Sequence, residues 1–186
     1  TPLFKDVSQL LAHRHQDEPF DDFTRQPLLP RKLSQAGPGV GWWDLNGDEH
    51  EDLIIGSGKG GHLAVYLGDG HGGFQPADLG KVTATRDQTG VLGWTSAKQT
   101  GILIAEANYE DGKAQGAAVT QYHWQSRNLE EAVPADNSSA GPLLLADLDG
   151  DGDLDLFVGG RVIAGRWPEA ASSRIYRNEQ GKFQLD

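Results

Sequence analysis

Cysteine and methionine are both absent from the 186 residues. The first absence excludes a disulfide frame, a thiolate nucleophile and cysteine-ligated zinc. It fits secretion as well as the cytosol. The second absence extends to position 1, which leads us to expect a processed or excised piece of something longer. Long apolar runs are missing too. Nothing approaches the ~20 residues that a membrane-spanning helix needs, so no membrane insertion is expected, and a signal peptide, if trimmed, leaves no trace. Positive charge is scarce: 16 Lys and Arg stand against 27 Asp and Glu, a net charge of −11. Bulk nucleic-acid binding needs a cationic face and is not expected.

What is present is glycine, 25 residues, with 9 prolines. That frequency predicts many turns and few long helices. A hydrophobic content of 37% with five Trp is enough for a folded core. The most informative stretch is residues 143–160, LLLADLDGDGDLDLFVGG. Asp147, Asp149, Asp151, Asp153 and Asp155 place an acid at every second position between two apolar runs. Carboxylates a few Å apart repel by about 1–4 kcal/mol per close pair. A hard divalent cation with oxygen ligands reverses that sign.

The pattern recurs. Residues 37–74 run from GPGVGWW through Asp44 to Asp52 and out through LIIGSG, followed by the alternating strand HLAVYLG, an Asp69-Gly70 turn and Gly-Phe-Gln. Residues 141–185 repeat that order, with SRIYRN as the later strand and Gly-Lys-Phe-Gln at the close. The two loops begin 103 residues apart. Repeat units of propellers span ~40–50 residues, so a third copy is expected between them. GVLGW, GILIAE and GAAVTQYHW supply its strands, but its turn, residues 95–100, carries no acid and no metal is expected there. Residues 128–140 read as a polar connection.

We therefore expect an all-β chain of about three repeats of four-stranded antiparallel meanders, blades of an incomplete or partial β-propeller. The expected units are an ordered N-terminal segment over 1–36 packing on the blades, a first repeat with a calcium loop over 37–87, a degenerate repeat over 88–136, and a third repeat with a calcium loop over 137–186. Within the first segment, Phe4 to Leu11 suits a strand or short helix. Residues 21–33 suit an ordered loop, because Phe20, Phe23, Leu28 and Leu29 are too apolar for a free linker.

Two Ca²⁺ sites follow. In the third repeat Asp147, Asp149 and Asp151, the carbonyl of Asp153 and the carboxylate of Asp155 supply five of the 6–8 oxygens calcium prefers. In the first, the same slots hold Asp44, Asn46, Asp48, the carbonyl of His50 and Asp52. Seven of the 27 acids would offer carboxylates at these positions, and two ions would move the net charge from −11 to −7. With one neutral amide, the first site is expected to bind more weakly. Mg²⁺ rarely accepts a full protein cage, Zn²⁺ lacks its ligands, and the strand-like flanks exclude an EF-hand. The competing reading is that the loops are plain Asp-Gly turns.

GVGWWDLNGDEHEDLIIGSG and GPLLLADLDGDGDLDLFVGG, each followed by a strand and a Gly-Phe or Gly-Lys-Phe closure, resemble FG-GAP/VCBS repeats, the blades of integrin-α-type propellers and of many secreted bacterial proteins. DDFTRQPLLPRKLSQAGPGV and GGRVIAGRWPEAASSRIYRNEQGKF are similar to parts of large VCBS-repeat proteins that carry ASPIC/UnbV modules. The resemblance implies Ca²⁺ at the first, third, fifth, seventh (carbonyl) and ninth positions of DxDxDGxxD. The first loop departs from it at Asn46 and at Glu49, where glycine is usual. The resemblance further implies a secreted, periplasmic or cell-surface protein serving adhesion, interaction or assembly.

Other candidates are weaker. Arg161, Arg166, Arg174 and Arg177 around Trp167 suit either an anion site or ion pairs with the many acids. His13 and His15 suit either a metal pair or hydrogen bonding. Asn137-Ser138-Ser139 is a glycosylation sequon by pattern. Glu106, Glu110 and Asp111 are acids without a defensible catalytic spacing. The expected function is a non-catalytic, calcium-binding propeller module that binds a protein or glycan ligand. The alternatives are part of a polysaccharide-acting enzyme, or a structural repeat that completes a ring with a second copy or with further blades of the parent chain.

Overall fold

A computed structural model describes residues 3–80, 82–96 and 99–186. Ala97 and Lys98, in the acid-free middle turn, lie outside the described residues, as do Thr1, Pro2 and Lys81. Among the described residues, twelve strands form three open antiparallel sheets. The first contains β1 (Val40–Trp43), β2 (Asp52–Ile55), β3 (Ala64–Gly68) and β4 (Phe74–Pro76). The second contains β5 (Asp87–Thr95), β6 (Thr100–Ala107), β7 (Ala117–His123) and β8 (Leu129–Pro134). The third contains β9 (Ser138–Ala146), β10 (Asp155–Ile163), β11 (Arg174–Glu179) and β12 (Lys182–Leu185). Each sheet is a meander with its strands in sequence order. The chain is thus all-β with blade-like sheets.

The sheets stack. β5 packs against β1 on one side and β9 on the other. The middle sheet buries both faces, so every residue of β6 is buried. Ile102 and Ile104 join Ile54 and Val65 of the first sheet and Leu45 of its acidic loop, while Leu103 and Ala105 join Leu156, Val158 and Tyr176 of the third. This is why GILIAEA shows no alternation, whereas a strand buried on one face would. Each such Ile, Leu or Val side chain contributes about 1.5–3 kcal/mol on burial.

Close approach of β1, β5 and β9 depends on glycine. A Cβ on Gly39 would lie 2.6 Å from Gly90 Cα, and one on Gly90 would lie 2.7 Å from the Gly141 carbonyl oxygen. These three glycines recur at equal spacings of 51 residues, the most regular trace of the repeat.

Several expectations need correction. Residues 128–140 are not merely a connection: they hold β8 and the start of β9. β8 pairs only with β7 and leaves Leu129, Glu130 and Glu131 exposed, and edge strands carry polar sequence that hides them. β10 continues through Gly160 to Ile163, with register shifts on either side of Gly160. Phe4 to Leu11 holds only a 3₁₀ turn, Ser8–Leu10, started by the Asp6 carboxylate, which accepts from the Ser8 N–H at 2.9 Å. Phe23 and Leu28 are exposed, the latter at 92%, while Leu29 is buried.

The N-terminal segment is nonetheless tied down. One helical turn, α1 (Asp22–Arg25), is capped by Asp21, which accepts from the Phe23 and Thr24 N–H groups. Asp22 is fully buried and accepts from the Leu33 N–H at 2.6 Å, the Ser34 N–H at 2.9 Å and the Ser34 hydroxyl at 2.5 Å. Burial opposes its charge, and these hydrogen bonds leave its pKa lowered. Arg25 lies over the Phe20 and Tyr109 rings and donates to the carbonyls of Tyr109 and Glu110 beyond β6.

Candidate metal centres

Both acidic loops join the first strand of a sheet to the second, and both are built by the same hydrogen bonds. Gly47 and Gly150 each donate an N–H at 2.7 Å, to Asp44 Oδ1 and Asp147 Oδ1. Glu49 and Gly152 donate to the other oxygen of those carboxylates, at 2.9 and 3.2 Å. Asp48 and Asp151 donate to the oxygen two residues back, Asn46 Oδ1 and Asp149 Oδ1. His50 and Asp153, the expected carbonyl donors, give their N–H groups at 2.9 Å to Asp48 Oδ1 and Asp151 Oδ1. Each tight curl passes through the left-handed region, with φ 69° at Glu49 and 93° at Gly152. A side chain is disfavoured there, and Glu49 carries one where the third loop has Gly152.

The loops differ in what they gather. Asp147, Asp149 and Asp151 bring carboxylate oxygens within 4.8 Å of one another, all exposed. In the first loop the corresponding middle residue is Asn46, whose amide donates to Asp48 Oδ2 at 2.9 Å, so no trio of acids forms.

Asp52 and Asp155 are 0% and 2% exposed. Neither belongs to a group of three converging acids. Asp52 accepts from the Leu45 N–H at 2.9 Å and the Gly68 N–H at 3.0 Å. Asp155 accepts from the Leu148 and Asn178 N–H groups, both at 2.9 Å. The ninth residue of each loop, the first of the second strand, therefore ties the start of the loop to the third strand of the sheet. Burial pushes the Asp52 carboxyl up, helped by Asp48 and Asp44. The Asn178 N–H, then the Leu148 N–H and Arg177, hold Asp155 down.

The donor set fits a hard dication. Asp147, Asp149 and Asp151 could hold such an ion in the third loop, and Asp44, Asn46 and Asp48 offer oxygens in the first, all oriented by backbone N–H groups. Such an ion would neutralise the crowded carboxylates and fix the turn between strands.

The four arginines do not converge on an anion site. Arg161 donates to the Ala36 carbonyl at 2.9 Å, Arg166 pairs with Glu169 at 2.9 Å, Arg174 pairs with Asp136, and Arg177 reaches three acids near the third loop. The His pair is divided: His13 Nδ1 lies 3.1 Å from the Tyr66 hydroxyl with its ring edge-on to the tyrosine, while His15 lines a separate hollow with Asp17 and Asp87. Asn137 is exposed between β8 and β9.

Tertiary structure assembles a second acidic group at the opposite end of the sheets. Asp17, Asp87 and Glu110 offer oxygens all within 4.8 Å of one another. Asp17 Oδ1 is buried without a hydrogen-bond partner, and Asp87 accepts from the Lys59 N–H at 3.0 Å. Burial, then Asp87 and Asp17, push Glu110 up to about 7. Sequence gave no signal for this group, because its members come from three distant segments. Glu106 is 7% exposed and pushed up to about 7 chiefly by burial. It accepts from the Thr120 hydroxyl at 3.0 Å and shares a cavity of about 230 Å³ with Arg86 and Asp111. A larger cavity, about 560 Å³, lies beside the first loop between Asn46, Asp78, Trp124, Gln125 and Arg127.

Compared with models of known protein families and with curated proteins, the chain matches none.

Proposed function

We infer that the chain is a calcium-stabilised, non-catalytic blade module of the FG-GAP/VCBS kind, serving interaction or assembly in a secreted or cell-surface protein. The observation that carries this reading is the duplicated hydrogen-bond network of the two acidic loops. It curls the chain alike at the same place in two sheets, and in the third it gathers three carboxylates. In the third loop three exposed carboxylates lie within 4.8 Å of one another, a repulsion that a bound dication would reverse. The cavity beside the first loop supports a glycan or peptide ligand, since Trp124 offers an aromatic surface and Gln125, Arg127 and Asp78 offer hydrogen bonds.

The test is thermal unfolding with calcium or with chelator. At a hundred times Kd one site adds about 2.7 kcal/mol, and each kcal/mol is worth about 2–4 °C for a chain of this size. Chelation should therefore lower Tm by about 5–10 °C per occupied site. Asp151→Ala should abolish the third site's share. An unchanged melt in both experiments refutes the calcium reading.

A second reading, assembly with further sheets of the same kind, is favoured by the two outermost sheets. Val40 and Trp42 on one, and Leu144 and Ile175 on the other, are 38–58% exposed. Light scattering that returns a monomer of 20.1 kDa at high concentration counts against assembly with a second copy.

A further inference from the structure

Arg177 beside the third loop has no counterpart at the first. Leu53 pairs with Tyr66, and Leu156 pairs with Tyr176, so Arg177 in β11 occupies the place of Leu67 in β3. The next residues confirm the alignment: the Gly68 N–H donates to Asp52 Oδ1 and the Asn178 N–H to Asp155 Oδ1. The Arg177 guanidinium sits 3.3 Å from Asp149 and 3.2 Å from Asp155 through Nη1, and 3.3 Å from Asp186 through Nη2. It spans two of the five expected ligand positions. Among the described residues, no basic side chain pairs with Asp44, Asp48 or Asp52.

We propose that Arg177 is the resident counter-charge of the third loop, and that Asp149 with Arg177 replaces the neutral pair Asn46 and Leu67 of the first. The expected ligand carboxylates of the first loop, Asp44, Asp48 and Asp52, carry −3. Those of the third, Asp147, Asp149, Asp151 and Asp155, carry −4, and Arg177 returns the sum to −3. The two ligand sets then present a dication with the same charge, and their affinities lie closer than a count of ligand acids implies. With no ion bound, the guanidinium also relieves repulsion between Asp149 and Asp155 and holds the third strand to the loop. The inference about affinity rests on the calcium reading. The inference about the metal-free loop does not.

The experiment uses the full chain with Asp48→Asn, which weakens the first loop, and adds Arg177→Leu, Asp149→Asn, or both. Calcium affinity is read by titration calorimetry, and stability by melting in chelator. Arg177→Leu should tighten calcium about tenfold, the Coulomb scale for one charge beside a dication across a few Å of water. It should lower the metal-free Tm by about 2–4 °C. Adding Asp149→Asn should return both values toward the parent, a coupling that independent sites would not show. Arg177→Lys, which keeps the charge, should stay near the parent and separates loss of charge from loss of fold. Unchanged or weaker calcium binding in Arg177→Leu overturns the affinity inference. If the parent takes up no calcium, the calcium reading fails, and the chelator melts still decide the counter-charge. Arg177→Leu and the double variant melting alike would overturn that.

Discussion

Asp52 separates the two roles that the ninth position of the loop can play. As a ligand alone, its loss would matter only when calcium is bound. Its surroundings predict a larger, metal-independent effect. The carboxylate is 0% exposed, and its oxygens are the acceptors for the N–H groups of Leu45 and Gly68, both buried. Asp52→Ala leaves two buried donors without acceptors, at about 1–3 kcal/mol each, or about 2–6 kcal/mol together. Asp52→Asn keeps one acceptor oxygen and should fall between that variant and the native chain. Urea unfolding in excess chelator, followed by fluorescence of the five Trp, reads the difference with the cation removed. A loss for Asp52→Ala below about 0.5 kcal/mol, the ordinary scatter of surface substitutions, would refute the view that this carboxylate fastens the loop to the sheet.

Two further outcomes follow from buried groups. Glu106 has its pKa raised by burial from 4.5 to about 7, so the folded state holds its proton more tightly than the unfolded chain. Its contribution is fully present below the unfolded value, is lost as pH rises through the window up to about 7, and is flat above it. Glu106→Gln should remove that loss and raise stability above about pH 8 by on the order of 3 kcal/mol relative to the native chain. Equal stability changes between about pH 5 and pH 8 in both proteins would contradict it. Gly90→Ala sets a Cβ 2.7 Å from the Gly141 carbonyl oxygen. Backbone must move to admit it, and we expect a loss of about 1–3 kcal/mol in a chemical melt, whereas a neutral result would mean that β5 and β9 can separate freely.

The repeat was legible because its parts are local. An acidic curl between two apolar runs, an alternating strand and a Gly-Phe turn each announce themselves within ten residues, and their recurrence located the first and third sheets. β8 was not legible. An edge strand with a solvent face carries Glu130 and Glu131 as a loop would, and only pairing with β7 identifies it. β6 was found as a strand, but nothing in GILIAEA says that both faces are covered. That depends on sheets arriving from either side.

The same division runs through the sites. Sequence by itself determined that the Asp147 and Asp44 loops are equivalent and carry hard oxygen donors, because ligand spacing in a tight turn is a local property. It also determined the glycine column at 39, 90 and 141, although not its meaning. Only the tertiary structure decided that Asp52 and Asp155 are held by backbone N–H groups, that Arg177 belongs to the third loop rather than to an arginine cluster, and that Asp17 meets Asp87 and Glu110. Those contacts join residues many positions apart. Charge and burial at such a meeting are properties of the packed sheets, and no window of sequence contains them.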